Sequence, residues 1–185
     1  RFDQEGDLCD LEEAISTAEE ALGLMLASHP LRAAWLNSLA SRFLNLYTRK
    51  GYTSDLDSCI NHYQSALDHE KSAPEDRIEA AQAMVSNCPD NQQIYDAAKL
   101  AVSLIPRLVS WSHENFDRQY ILGKVVGLAS DAAAAAIQVG QPPMVALQLL
   151  EQGRGIIGTS LPDMRSAAPE LERPPPTAAG RSRSR

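Results

Sequence analysis

Aromatic residues are scarce, at 5% of 185 residues, so any core has to be packed mainly from small and aliphatic side chains. Cys9, Cys59 and Cys88 are an odd set without CxxC spacing, which removes the usual signature of a disulfide framework or a cysteine-clustered zinc site. No secretory signal opens the chain, and no apolar run reaches the ~18 residues of a membrane helix. These absences predict an intracellular, reducing setting, the cytoplasm, and no membrane partner. The alternating Val, Ile and Thr runs that strands favour are missing too. Alanine, the best helix former, is abundant, as across residues 132–136. The expected class is all-α.

Charge is unevenly spread. The formal total is −7, but five Arg stand against two Glu from Arg165 onward, while residues 1–164 hold 12 basic and 22 acidic side chains. An acidic body repels phosphate backbones, so nucleic acid is not an expected partner. Such a surface suits a basic peptide or partner face, and equally serves to keep helices soluble. With 44% hydrophobic residues the length suits one elongated domain or a compact one of modest size.

One offset organises the sequence. Gly6, Asp10, Leu11, Ile15, Ala21 and Leu22 recur forty-five residues later as Gly51, Asp55, Leu56, Ile60, Ala66 and Leu67. A fixed period with helical spacing marks a repeat array, in which each unit buries its apolar face against the next.

Apolar stripes and breakers predict the helices. The first covers residues 10–26, carries Leu11, Ala14, Ile15, Ala18, Leu22 and Met25 on one stripe, and stops at Ser28-His29-Pro30. The second opens at Pro30 or Leu31, packs Leu36, Leu39, Phe43 and Leu46, and ends at Lys50-Gly51 with the glycine in the left-handed C-cap. Ser54 with Asp57 resembles a capping box, placing the third helix near Asp55 to Glu70, with Leu56, Cys59, Ile60, Tyr63, Ala66 and Leu67 inward. Pro74-Glu75-Asp76 starts a fourth helix that ends near Asn87. A fifth covers residues 91–109, kinking or stopping at Pro106. The sixth is long, 114–139, ending at Gly140, and Pro142-Pro143 opens a seventh that fades among Gly153, Gly155 and Gly158. Residues 1–9 are expected to be a lead-in, the cut end of a longer array, and 10–163 the repeat domain. Residues 164–185, with Pro174-Pro175-Pro176 and a closing Arg181-Ser182-Arg183-Ser184-Arg185, have almost nothing to bury and are expected to be disordered.

Short turns make neighbouring helices antiparallel, giving a stack of hairpins. Such pairs resemble tetratricopeptide repeats. Leu36-Asn37-Ser38-Leu39-Ala40 followed by Phe43 is similar to that family's first-helix pattern, and Cys59, Tyr63 and Ala66 stand where its second helix has small, aromatic and small residues. Ala14, Ala18 and Ala21 give the same phase in the preceding half-repeat. The period is longer than the family's thirty-four residues, and Ala40 replaces an expected glycine. The resemblance implies a right-handed superhelical stack of antiparallel helical hairpins, a tetratricopeptide-like α-solenoid.

A more specific resemblance rests on the Gly-x-x-x-Asp-Leu-x-x-x-Ile units, His29-Pro30-Leu31-Arg32, Gly127-Leu128-Ala129-Ser130-Asp131-Ala132-Ala133, and the stretch from Ala146 through Glu151-Gln152-Gly153-Arg154-Gly155. Together they resemble the repeat region preceding the caspase-like CHAT peptidase domain of large fungal proteins, over about residues 6–165. The resemblance implies a peptidase after this segment, with its own His and Cys. The pattern is left after Met164-Arg165, where a Pro- and Arg-rich tail replaces the helical continuation; truncation, altered splicing or a frameshifted gene model would each produce that.

Other motifs have plainer explanations. Gly153-Arg154-Gly155-Ile156-Ile157-Gly158 satisfies GxGxxG, but a dinucleotide site needs that turn after a strand, and here it follows a helical stripe, so it is expected to end a helix with close backbone packing. Cys59 lies on a core stripe, where thiols are packing residues. Cys88, before Pro89, is expected in an exposed turn, and His29 and His113 at helix ends, where capping is the ordinary role. His62 and His69 share a helix face with Asp55 or Asp68 near, and Cys59 with His62 has a ligand spacing, yet one faces inward and the other outward. Trp111 and Phe116 either staple a corner or form part of a partner site, and Trp35 faces core or groove. No catalysis, metal or cofactor is expected.

The expected function is a protein–protein interaction scaffold binding a peptide or partner segment on its concave face, through Asn37, Ser41 and Asn45, which lie four apart opposite the Leu36-Leu39-Phe43 seam. The alternative is a regulatory or substrate-docking arm of a CHAT peptidase whose catalytic domain lies outside this chain. Self-association through an uncapped repeat end is the third possibility.

Overall fold

A computed structural model describes the backbone of residues 2–111 and 127–166, with side chains over 8–108 and 127–154. The described residues form seven α-helices and no strand: α1 (Phe2–Leu24), α2 (Arg32–Lys50), α3 (Thr53–Asp68), α4 (Pro74–Asn87), α5 (Asn91–Trp111), α6 (Leu128–Gln138) and α7 (Pro143–Ser166). The chain is all-α. Of the tail expected to be disordered, 164–185, residues 164–166 form the end of α7 instead, and 167–185 lie outside the described residues, together with His113 and Phe116.

Several boundaries follow the sequence signals. Gly51 caps α2 in the left-handed region (φ 75°) and its N–H donates to Tyr47 O at 2.7 Å. Pro74 starts α4 with Glu75 and Asp76 in the first turn, where acids meet the positive end of the helix.

Others differ. α1 already runs from Phe2, so residues 2–9 are helix and not a separate lead-in; Gly6, the glycine in this stretch, costs only about 1 kcal/mol. α3 opens at Thr53 with Tyr52 as the cap residue and no side-chain cap bond, which puts Ser54 inside the first turn and leaves no capping box with Asp57. α5 neither stops nor ends at Pro106. Leu104, Ile105 and Leu108 are buried around it, and each contributes about 1.5–3 kcal/mol against the ~3 kcal/mol of an interior proline. The expected sixth helix, 114–139, is described only from residue 127, where α6 starts at Leu128 with Gly127 at φ 94° as its cap. α7 continues through Gly153, Gly155 and Gly158 instead of fading. At Gly153 tertiary packing explains the glycine, since a Cβ there would lie 2.4 Å from Ala129 Cβ of α6.

Each helix packs on the next described one along the chain, and α2 additionally meets α4, as α5 meets α7. One core cluster joins α2 to α7, and a smaller one holds Ile15 and Ala18 of α1 against Leu39 and Leu46 of α2.

The forty-five-residue offset runs further than its sequence match. Ile15, Ile60 and Ile105 are all buried, and so are Ala18, Tyr63, Leu108 and Gly153 at the same interval. The period even reproduces a polar contact. Arg32 Nη1 donates to Leu22 O (3.2 Å) and Met25 O (3.3 Å), and forty-five residues on, Arg77 Nε donates to Leu67 O at 2.7 Å. Each arginine reaches back to the end of the preceding helix: Arg32 to Leu22 O, which Met25 N–H also reaches at 3.3 Å, and to Met25 O just past α1, and Arg77 to Leu67 O in the last turn of α3.

A second polar link ties the two turns together. Ala33 N–H donates to Ser72 Oγ (3.0 Å), Ser72 Oγ meets His69 Nδ1 (2.8 Å), and His69 Nε2 meets Ala27 O (2.7 Å). Because a carbonyl only accepts, Nε2 carries the proton.

A candidate interaction cleft between α2 and α4

α2 and α4, one repeat period apart, stand side by side over α3. Between them lies a cleft of about 510 Å³, walled by Ala34, Asn37, Ser38, Ser41 and Arg42 of α2 and by Asp76, Glu79 and Ala83 of α4, with Tyr63 of α3 as its floor. The lining is polar at the walls and aromatic below. Burial pushes the Tyr63 phenol up to about 12; negative charge at Cys59 and Glu79 adds to the rise, and a hydrogen bond with Ser41 opposes it.

The three residues expected to line a binding face part company here. Ser41 is exposed and lines the cleft. Asn45 is exposed but lies outside the lining. Asn37, expected to be open to a partner, is only 7% exposed, and its Nδ2 donates to Asp76 O at 2.8 Å. Residues four apart on a helix drift about 40° per step, so the three fan across the surface from the α4 contact outward. Asn37 is thus first a packing residue. Its amide cannot be reversed, because Asp76 O needs a donor, and Asn37 Oδ1 is left buried with no hydrogen-bond partner. Arg42 Nη1 is buried and unpartnered as well.

Tyr63, Arg42, Asp76 and Glu79 were not singled out for this role by the sequence. Asp76 reads as a helix-start acid and Tyr63 as core, and both assignments are correct as far as they go. Only the approach of α4 to α2 brings them together.

Beside this cleft a second groove, of about 560 Å³, runs along α1 and α2, lined by Asp10, Glu13, Ala14, Thr17, Ala18, Ala21, Trp35 and Arg42. Trp35, left open between core and groove, is 43% exposed and belongs to the groove. At the repeat interval Ala14, Thr17 and Ala21 correspond to Cys59, His62 and Ala66 of α3. His62 is stacked under Phe43 of α2 (centroids 5.4 Å, 22°), and Cys59 and Ala66 are fully buried.

The remaining candidates settle into structural places. Burial raises the Cys59 thiol to about 11, so it is protonated at neutral pH. Cys88, expected in an exposed turn, is buried instead, with its Sγ directed at Gln93 Oε1 at 3.3 Å, because α5 begins directly after the turn and closes over it. His29 Nδ1 accepts from Leu31 N–H at 3.2 Å in the turn ahead of α2, which has no side-chain cap bond, so the expected capping role is not what His29 does. Burial lowers the pKa of His62, with Glu19 opposing. No group of three His, Cys, Asp or Glu capable of holding a metal occurs among the described residues. GxGxxG lies within α7 and follows no strand. The side chain of Trp111 lies outside the described residues. No described helix is long and apolar enough to cross a membrane. Comparison of the chain with protein-family models, with curated proteins and with solved structures gives no match.

Proposed function

We propose that the chain is a protein–protein interaction scaffold of the cytoplasm, a right-handed stack of tetratricopeptide-like hairpins that holds a partner segment against α2 and α4. The observation that carries this reading is the polar cleft between two helices of equivalent rank in the repeat, with Ser41 at its wall. Preformed helices bear no ordering cost on binding, so that cost falls on the ligand. The repeat itself supports stacking, because Arg32 and Arg77 make the same backward contact one period apart. Catalysis forms no part of this reading.

A photo-crosslinking residue at Ser41, compared with one at Ser65 on the exposed side of α3, tests it in cells. Position 41 is expected to trap a defined partner that position 65 does not. Equal labelling from both positions would refute the scaffold. Ser41→Ala and Asn45→Ala are expected to weaken partner capture without changing the melting temperature.

The resemblance over residues 6–165 supports a narrower version, a regulatory or docking arm beside a caspase-like CHAT peptidase. Addition of the chain to such a peptidase is then expected to change its rate on a protein substrate, and Ser41→Arg to abolish the change. No effect would remove this version.

The α1 groove supports a self-association reading. It is the internal counterpart of a seat that α2 fills on α3, and exposed Leu24, Leu26 and Leu31 lie close to it in sequence. A constant monomer mass across a concentration series would eliminate it.

A further inference from the structure

Resting on the scaffold reading, we propose that the α2–α4 cleft receives a lysine or arginine side chain of an extended partner segment, its cationic head over Tyr63 and beside Asp76 and Glu79, its backbone carbonyl toward Arg42. The lining selects this chemistry by elimination. Ala34 and Ala83 are its only aliphatic members, too little to hold an apolar anchor. Two carboxylates against one guanidinium leave the cleft net negative, inside a chain of net charge −7, so an acidic segment is repelled. An aromatic floor under acidic walls is a favourable seat for an organic cation.

Two unsatisfied groups add direction. Asn37, more than nine-tenths buried in the cleft wall, has an acceptor, Oδ1, that no group of the chain fills. The missing complement is therefore a donor. Arg42 Nη1 is the reverse, a buried donor without an acceptor. Asn37 and Arg42 are five residues apart on α2, about 7.5 Å along its axis and about 140° around it, and both line the cleft. A lysine laid along the cleft brings a cation to the acceptor-rich end and a carbonyl to the arginine end. The reversed orientation would set like charges together. Glu79 is exposed on α4 and forms the entrance.

Three fluorescein-labelled peptides differing only at one central residue of a Gly/Ser hexamer (lysine, norleucine or glutamate) test the proposal with the full chain, by anisotropy. The lysine peptide is expected to bind at least tenfold more tightly than the norleucine one, and the glutamate peptide more weakly still. Glu79→Gln is expected to remove most of that preference while leaving the melting temperature unchanged. Glu20→Gln, an exposed acid on α1, is expected to leave the preference intact. Equal binding of the lysine and norleucine peptides overturns the inference, as does an effect of Glu20→Gln matching that of Glu79→Gln, which would signal diffuse attraction to an acidic surface. Binding of the norleucine or glutamate peptide as tight as or tighter than that of the lysine peptide, and blocked by Ser41→Arg, overturns cation selectivity yet leaves the scaffold standing. Failure of all three peptides overturns the inference, and the crosslinks from position 41 then decide the scaffold separately.

Discussion

Arg77→Met is the sharpest test of the repeat. Arg77 is 5% exposed and its Nε donates to Leu67 O at 2.7 Å, where α3 has run out of internal donors. Burial lowers its pKa, which for an arginine still leaves the charge in place. Methionine keeps the apolar stem and deletes the head group, so the loss reports the bond to Leu67 O together with the attraction of Glu70 and Asp68. A hydrogen bond from a charged donor contributes about 1.5–3 kcal/mol, and a buried carbonyl left unpaired falls in the same range, so about 2–3 kcal/mol is expected. The same substitution at Arg32 removes longer bonds of 3.2 and 3.3 Å at a half-buried site where water substitutes, and should cost under ~1 kcal/mol. With a urea slope of about 2 kcal/mol per molar, the midpoint should fall by roughly 1–1.5 M for Arg77→Met and by less than about 0.5 M for Arg32→Met, at unchanged slope. An Arg77→Met protein as stable as wild type, or an Arg32→Met protein that loses more, would refute the capping role drawn from the repeat.

Gly153→Ala should destabilise, because overpacking against Ala129 costs about 1–3 kcal/mol while the helix gains only about 1 kcal/mol; Ala129→Gly in the same chain should restore the midpoint. His62 has a lowered folded pKa, so below pH ~6.5 the unfolded chain binds more protons than the folded one and stability falls as the pH drops toward the folded value. His62→Gln should flatten that part of the pH profile, and an unchanged slope would count against the buried ring. A thiol reagent under native conditions should react rapidly with one group per chain, Cys9, and with Cys59 and Cys88 only on unfolding; a second fast thiol would contradict the packing around those two.

Much of the fold is legible because local signals and the period agree. The Leu36, Leu39 and Leu46 stripe is buried, Gly51 takes the left-handed cap, and Pro74 marks a true start. The failures at Gly153 and Asn37 share a physical cause, which is that the deciding contact is remote in sequence. The glycines of α7 look like breakers until Ala129 is placed against Gly153. Gly127 looks like one small residue in a helical run, but its backbone turns left-handed. Of the proposed binding face, Ser41 is exposed and lines the cleft, whereas Asn37 was placed by polarity alone, and polarity does not distinguish solvent from the Asp76 carbonyl. Arg77 was within reach of the sequence: the offset that pairs Leu22 with Leu67 also pairs Arg32 with Arg77, once those arginines are examined for a common partner.

The proposed open stack and a bundle closed on itself differ in one measurable distance. If one rotation relates α1, α3, α5 and α7, they occupy successive places in a single layer, each about 8–10 Å from the next, so α1 and α7 stand roughly 25–30 Å apart. A closed bundle would seat α7 on α1 at one helix spacing. The extensive helix contacts link neighbours and next-but-one partners, with α1 engaged chiefly by α2 and α7 by α5 and α6. Spin labels on Cys9, the exposed native thiol, and on Gln148→Cys, an exposed position of α7, should therefore give a distance above ~25 Å. The buried Cys59 and Cys88 should stay unlabelled under native conditions. A dominant distance below ~15 Å, one helix spacing plus label length, would mean that the ends meet. The equivalence of α2 and α4 as walls of one continuous inner face would then have no geometric basis.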